Sequence, residues 1–166
     1  MDIDLNADLG EGLGPWRMGD DEALLGIVSS ANVACGFHAG DPLIMDRTVR
    51  TALGNGVDVG AHVGFPDLVG FGRRQMQMEP AELSACVLYQ LAALSGMARA
   101  AGHRMTHMSF HGALGNMAAA DPALAGPLVR TVADFDPSLT ISSSASAGSA
   151  AAMLPRAPWK LMCVMR

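Results

Sequence analysis

The sequence predicts an α/β protein in which parallel strands alternate with helices, as in a (β/α) barrel or a related open sheet. Three observations predict the alternation. Short apolar runs recur along the chain, and each ends in a cluster of polar residues. Helical patterns lie between these runs, and most of them begin with Asp or Glu beside Pro, the pairing of an N-cap with a first-turn proline that starts helices. Strand, loop, helix and strand in that order imply βαβ units and a parallel sheet. In such a sheet the loops after the strands' carboxyl ends share one face, so residues far apart in sequence meet there.

Taken in order, Met1 to Asn6 alternates apolar and polar residues, which predicts a strand, and leads to Asp8 and Glu11. A helical pattern follows at about Asp21 to Val28. The next strand lies in Ser30-Ala-Asn-Val-Ala-Cys-Gly-Phe-His-Ala-Gly-Asp41, a hydrophobic run ending in Cys35, His38 and Asp41. Asp41 is placed as N-cap and Pro42, whose missing N–H is harmless there, opens a helix to Leu53. Gly56 to His62 is a Val-rich strand leading to His62, Pro66 and Asp67, and Pro80 to Ala101 is a long helical pattern. Met105 to His111 leads to His111 and Asn116, a helix is expected over Pro122 to Phe135, and a fifth strand near Ile141. The barrel geometry would gather Asp8, Glu11, His38, His62 and His111 on one rim.

Composition narrows the class. With 166 residues, of which 50% are hydrophobic, the chain can bury a substantial core as one domain, filled by Ala, Leu, Val and Met because aromatics make up only 5%. A formal net charge of -5 argues against a phosphate backbone as partner, so no nucleic acid is expected. The start, Met1-Asp-Ile-Asp-Leu-Asn, lacks a basic region followed by an apolar one, and no run of about 18 apolar residues occurs. No membrane partner and a cytoplasmic location are therefore expected. Cys35, Cys86 and Cys163 form an odd set without CxxC spacing, which suits reduced thiols. The last acidic residue is Asp136, and beyond it come a Ser/Ala-rich run and the cations Arg156, Lys160 and Arg166. Residues 142–166 thus read as a divergent, low-complexity tail of the kind a frameshift produces, after a domain over residues 1–141.

The segments Asp4-Leu-Asn-Ala-Asp-Leu-Gly-Glu11, Ala31-Asn-Val-Ala-Cys-Gly-Phe-His-Ala-Gly-Asp41, Gly60-Ala-His-Val-Gly-Phe-Pro-Asp67, Gly70-Phe-Gly-Arg-Arg74 and His111-Gly-Ala-Leu114 resemble, in order and spacing, the LamB/YcsF lactam-utilisation family. That family includes the A subunit of the bacterial ATP-dependent 5-oxoprolinase. The resemblance covers about residues 1 to 141 and implies an incomplete (β/α) barrel-like fold of the glycoside hydrolase/deacetylase type, distorted as in the carbohydrate deacetylases. It also implies a role in opening the lactam of 5-oxo-L-proline to L-glutamate with ATP hydrolysis, beside the 5-oxoprolinase subunits B and C as partners. An amide carbonyl is a poor electrophile and the five-membered lactam is stable, so phosphorylating the lactam oxygen would give an imidate that water can attack. Full family members are expected near the length of about 250 residues typical of barrels.

Carried over residue by residue, the resemblance implies Asp8, His38, His62 and His111 as catalytic groups. It implies Glu11, Asn32, Asp41, Asp67, Arg73, Arg74 and Asn116 as binding groups for substrate or ATP. Imidazole titrates near neutral pH and binds divalent metals, so Asp8, His38 and His62 are also a candidate ligand set for a Mg or Zn ion. Arg73 and Arg74 suit a phosphate or carboxylate held by paired hydrogen bonds. Gly10, Gly12 and Gly14 match neither the dinucleotide fingerprint nor the P-loop. His103 and His107 match no functional motif. Around His111 the family typically reads Lys-Pro-His-Gly-Ala-Leu-Tyr-Asn, whereas this chain has Ser109, Phe110 and Gly115 at the Lys, Pro and Tyr positions. Two further readings stand beside the first: a shortened, non-catalytic remnant acting at most as a partner-binding module, and a metal-dependent deacetylase-like hydrolase.

Overall fold

The computed structural model describes residues 4–143 and 162–163. Its elements run β1 (Asn6–Leu9), α1 (Asp21–Leu25), β2 (Ser30–Ala34), α2 (Pro42–Gly54), β3 (Asp58–Val63), α3 (Pro80–Ala100), β4 (Met105–Phe110), α4 (Gly112–Ala120), α5 (Pro122–Phe135), β5 (Thr140–Ser143) and β6 (Met162–Cys163). The strands form one open sheet in the order of the chain, every neighbouring pair parallel. This is the α/β alternation read from the sequence. Parallel neighbours in sequential order need crossover connections, which by rule are right-handed and so carry the helices to one side, as in a barrel left unclosed.

Register divides the sheet into two unlike faces. Asn6 pairs with Ser30, Asp8 with Asn32, Asn32 with Gly60, Gly60 with His107 and His62 with Ser109, so the face away from the helices is lined by polar groups and glycine. The alternate residues Ala31, Val33, Val59, Ala61, Val63 and Met108 are fully buried in the apolar core against α2, α3 and α5. On α3 the core stripe is Leu83, Val87, Leu91, Leu94 and Ala98, at helical spacing. Among the described residues α3 is the one helix long and apolar enough to cross a membrane by length and composition, although no unbroken apolar run marks it. It packs along α5 and β3.

Several expected boundaries move. The first strand is Asn6–Leu9 rather than Met1 to Asn6, of which residues 1–3 lie outside the described residues. The cause is pairing with β2, which turns Ala7 and Leu9 toward the core and places Asp8 within the strand instead of after it. Helix α4 was not expected, since Gly112 and Gly115 weaken its helical signal. Asp121-Pro122 then separates α4 from α5, with Asp121 capping the second helix through Ala123 N–H. The expected tail lies largely outside the described residues, which resume only for β6.

Candidate active site

Four side chains from four separate strand ends converge. Glu11 follows β1, His38 lies in the loop after β2, His62 is on β3 and His111 follows β4. One ligand-type atom from each lies within 4.8 Å of the others. Glu11 Oε1 stands 3.6 Å from His38 Nε2, 3.9 Å from His62 Nε2 and 3.8 Å from His111 Nδ1. The three imidazoles are buried, and Glu11 Oε1 and both ring nitrogens of His38 make no hydrogen bond among the described residues.

The loops are shaped for this convergence. His38 stacks on His111, with centroids 3.8 Å apart and planes 7° from parallel, and the two rings lie against glycines. A Cβ at Gly64 would meet His38 Nδ1 at 2.6 Å, and one at Gly72 would meet His38 Cβ at 2.7 Å. Gly72 also has φ of 62°, and the preceding Phe71 has φ of 54°, uncommon for a residue with a side chain. That conformation turns the Phe71 carbonyl toward His111, whose Nε2 donates to it at 2.8 Å. Gly72 O in turn accepts from Ala113 N–H and ties the loop to α4.

Hydrogen bonding to the Phe71 carbonyl fixes the His111 tautomer. With Nε2 carrying a proton, neutral His111 presents an Nδ1 lone pair inward, 2.9 Å from His62 Nε2. Burial, followed by the neighbouring His38, lowers the His111 pKa from its ordinary value, and the Phe71 carbonyl, Glu11 and Asp8 oppose this only in part.

The remaining expected residues separate into groups. Asp8 Oδ2 lies 3.5 Å from His62 Nε2, and Asp8 accepts from Asn32 Nδ2, which itself bonds Asn6. Asn32 thus orients a carboxylate. Asp8, Glu11, Arg73, His111, Gly112, Ala113 and Asn116 wall a cavity of about 360 Å³ beside the cluster. Arg73 is exposed, lies over the Phe71 ring at 5.1 Å from its centroid, and forms no ion pair among the described residues. Arg74, in contrast, is paired with Asp67, whose carboxyl it holds below the usual carboxylate range. Asp41 accepts from Leu43, Ile44 and Gly14 N–H groups, and these amides hold its carboxyl low as well. The structure therefore occupies the side chains of Asp67, Arg74 and Asp41 with contacts of the fold.

The glycine-rich loop after β1 is no phosphate cradle. Gly10 N–H donates to the Asp21 carboxylate and Gly14 N–H to that of Asp41, and those acids would repel a phosphate. Cys35 is buried, and desolvation pushes its thiol up to about 12, which removes it as a nucleophile at neutral pH. His103 bonds the Val57 carbonyl, a structural use.

Two contributors were not singled out in the sequence. Phe71 acts through its carbonyl, which no side-chain motif reports. Gln90 is fully buried on α3 and holds Gly64 by both its N–H and its C=O, with Cys86 O as a third partner. A Gln on the apolar stripe of a core helix is a readable signal, because a buried amide must find partners.

Known proteins share both the sequence and the fold. The second of the 5-oxoprolinase A subunits of Ralstonia nicotianae is 72% identical over 146 residues, 88% of this chain and 56% of that protein. The first of the 5-oxoprolinase A subunits of Pseudomonas syringae pv. tomato is 73% identical over 146 residues, 88% of this chain and 57% of that protein. The chain therefore spans a little over half the length of these curated relatives. The crystal structure of a lactam utilization protein from Thermus thermophilus superposes with a TM-score of 0.91 at 44% identity, over 97% of this chain and 65% of that one. The sequence profile of one family matches residues 3–157, nearly the whole chain and every strand end that carries the cluster, and on that ground the chain belongs to the LamB/YcsF family.

Proposed function

We propose that this chain acts in a 5-oxoprolinase system as its A component, opening the lactam ring of 5-oxo-L-proline to L-glutamate. One observation carries the reading: Glu11 and His111, which cluster with the buried His38 and His62 from separate strand ends, line a cavity of about 360 Å³ walled also by Asp8, Arg73 and Asn116. That cavity suits a small, polar ring. The relatives named as 5-oxoprolinase A subunits supply the substrate, and the lettering implies further subunits, which we take to be B and C.

The chain's own groups divide the work of a hydrolysis. Water adds at the lactam carbonyl carbon, the C–N bond breaks, and the water's oxygen ends in the new carboxylate while a proton reaches the ring nitrogen. Asp8, which lines the cavity beside the cluster, is the base that takes the water's proton and hands it to the departing nitrogen. Arg73 holds the substrate's own carboxylate at the far wall, by the bidentate geometry that guanidinium favours. ATP hydrolysis drives the ring opening in the assembled enzyme, and the loop after β1, whose Gly10 and Gly14 amides are taken by Asp21 and Asp41, is not where the nucleotide is held.

The test is glutamate release from 5-oxo-L-proline by the full chain mixed with the two partner subunits and ATP. The expected result is ATP-dependent release that His62→Ala abolishes. Release that persists unchanged in His62→Ala, or none with any partner, overturns the reading; the latter outcome supports a non-catalytic, partner-binding role.

A further inference from the structure

We infer that Glu11, His62 and His111 form a binding site for one divalent transition-metal ion of the zinc class, with His38 as a fourth ligand after its ring turns. This deepens the reading of the cluster as a hydrolytic site, yet its test is independent of lactam chemistry.

The distances carry the inference. Glu11 Oε1 is 3.6 to 3.9 Å from a nitrogen of each imidazole, too far for a hydrogen bond. Two ligands of one tetrahedral ion with bonds of about 2.0–2.2 Å stand about 3.4 Å apart, close to those separations. A buried carboxylate oxygen that accepts no hydrogen bond, centred among three nitrogens, is a costly arrangement unless a cation neutralises it.

The lone pairs point to the same place. His111 gives its Nε2 proton to the Phe71 carbonyl, so its Nδ1 lone pair faces the cluster; this is the outer-shell carbonyl that orients metal-binding histidines. His62 Nε2 lies 2.9 Å from that lone pair. Only a shared proton or a common cation makes such an approach favourable.

The donor chemistry selects the ion. Imidazoles with one carboxylate suit zinc, iron, nickel or copper, whereas magnesium and calcium favour sets made of oxygen. The sequence suggested Asp8, His38 and His62; the geometry replaces Asp8 by Glu11 and adds His111. Asp8 stands outside the set of mutually close donors. His38 is stacked parallel to His111, so two in-plane lone pairs cannot meet at one ion until its ring rotates. A cation held there would draw electrons from a bound carbonyl and lower the pKa of water beside Glu11.

The test titrates the purified full chain, stripped by chelator, with cobalt(II) and then zinc(II). The expected result is one equivalent of cobalt per chain with the strong visible absorption of a four-coordinate site, displaced by zinc. Glu11→Gln and His111→Ala should each weaken binding by at least ~100-fold with the far-ultraviolet circular dichroism unchanged, while Asp8→Asn should retain it. Absence of stoichiometric binding at millimolar metal overturns the inference, as does binding that survives Glu11→Gln and is lost in Asp8→Asn. A chain that binds one ion this way and opens no lactam with its partners upholds the site and overturns the proposed function. A metal-free chain that opens the lactam at full rate overturns the site alone.

Discussion

His111 Nδ1 lies 2.9 Å from His62 Nε2, and both rings are buried. Because Phe71 O fixes the Nε2 proton of His111, the proton between the two rings must come from His62 when no cation is bound. Nitrogen-15 NMR of the metal-stripped chain should therefore show His111 protonated at Nε2 and bare at Nδ1. A His111 signal from the opposite tautomer would break the proposed ligand set.

Arg73 and Arg74 are neighbours with different tasks. Arg73 lines the cavity without an ion pair among the described residues, so Arg73→Gln should raise KM for 5-oxo-L-proline and leave kcat nearly intact. Loss of a hydrogen bond to a charged group is worth about 1.5–3 kcal/mol, which corresponds to roughly 10- to 100-fold in KM. Arg74→Gln strands the buried Asp67 carboxylate instead, so it should lower the thermal midpoint and change KM little. Equal effects of the two on KM would contradict this division.

That division shows what the sequence could and could not disclose. Strand-then-polar-loop patterning placed His38, His62 and His111 at successive strand ends, because period and punctuation are local properties. Nothing local separates Arg73 from Arg74; only the turn that carries Asp67 under one of them does so. That Glu11 stands among three imidazoles depends on three distant loops, which no local pattern reports. The strand at Asn6–Leu9 was displaced from its expected place by pairing with β2, which is a tertiary choice. Helix α4 escaped notice because its glycines obey close contacts: a Cβ at Gly112 would meet Gly72 O at 2.7 Å, and one at Gly115 would meet Phe110 O at 2.6 Å.

Gly72 should be the least replaceable glycine of the loop. Its φ of 62° disfavours any side chain by about 1–2 kcal/mol, and the added Cβ would strike His38. Gly14, with φ of 55° and open space around it, shares only the first of these penalties. Urea unfolding should thus show Gly72→Ala less stable than Gly14→Ala, and only the former should weaken cobalt binding. Equal losses in the two would mean that contact with His38 is unimportant.

Gln90 supports the site from behind, so Gln90→Leu should loosen it without touching substrate. The change keeps volume but leaves Gly64 N–H and C=O without their partner, at about 1–3 kcal/mol for each buried group left unpaired. Hydrogen exchange should report faster opening at Gly64 and around His38, whose ring lies against Gly64. Unchanged exchange there would show that β3 ends rigidly without the glutamine.

Acid should destabilise the fold through His107. Its ring lies over Gly60, where a Cβ would stand 2.2 Å away, and burial lowers its pKa from the ordinary 6.5. Thr106 Oγ1 meets its Nδ1 at 2.9 Å, while Asp4, Asp58 and the Ala31 backbone raise the pKa only in part. A depressed histidine pKa means that below pH 6.5 the unfolded chain binds a proton that the folded one refuses. Stability is then complete above about pH 6.5 and falls as pH drops from there toward the folded value, by at most about 1.4 kcal/mol per pH unit for one proton. The urea midpoint should decline from about pH 7.5 to about pH 5.5, on either side of that ordinary value, and the decline should be shallower in His107→Asn, whatever that variant loses at the upper end. A slope identical in both chains would assign the acid sensitivity to another buried base, with His111, lowered in the same direction, as the next to replace.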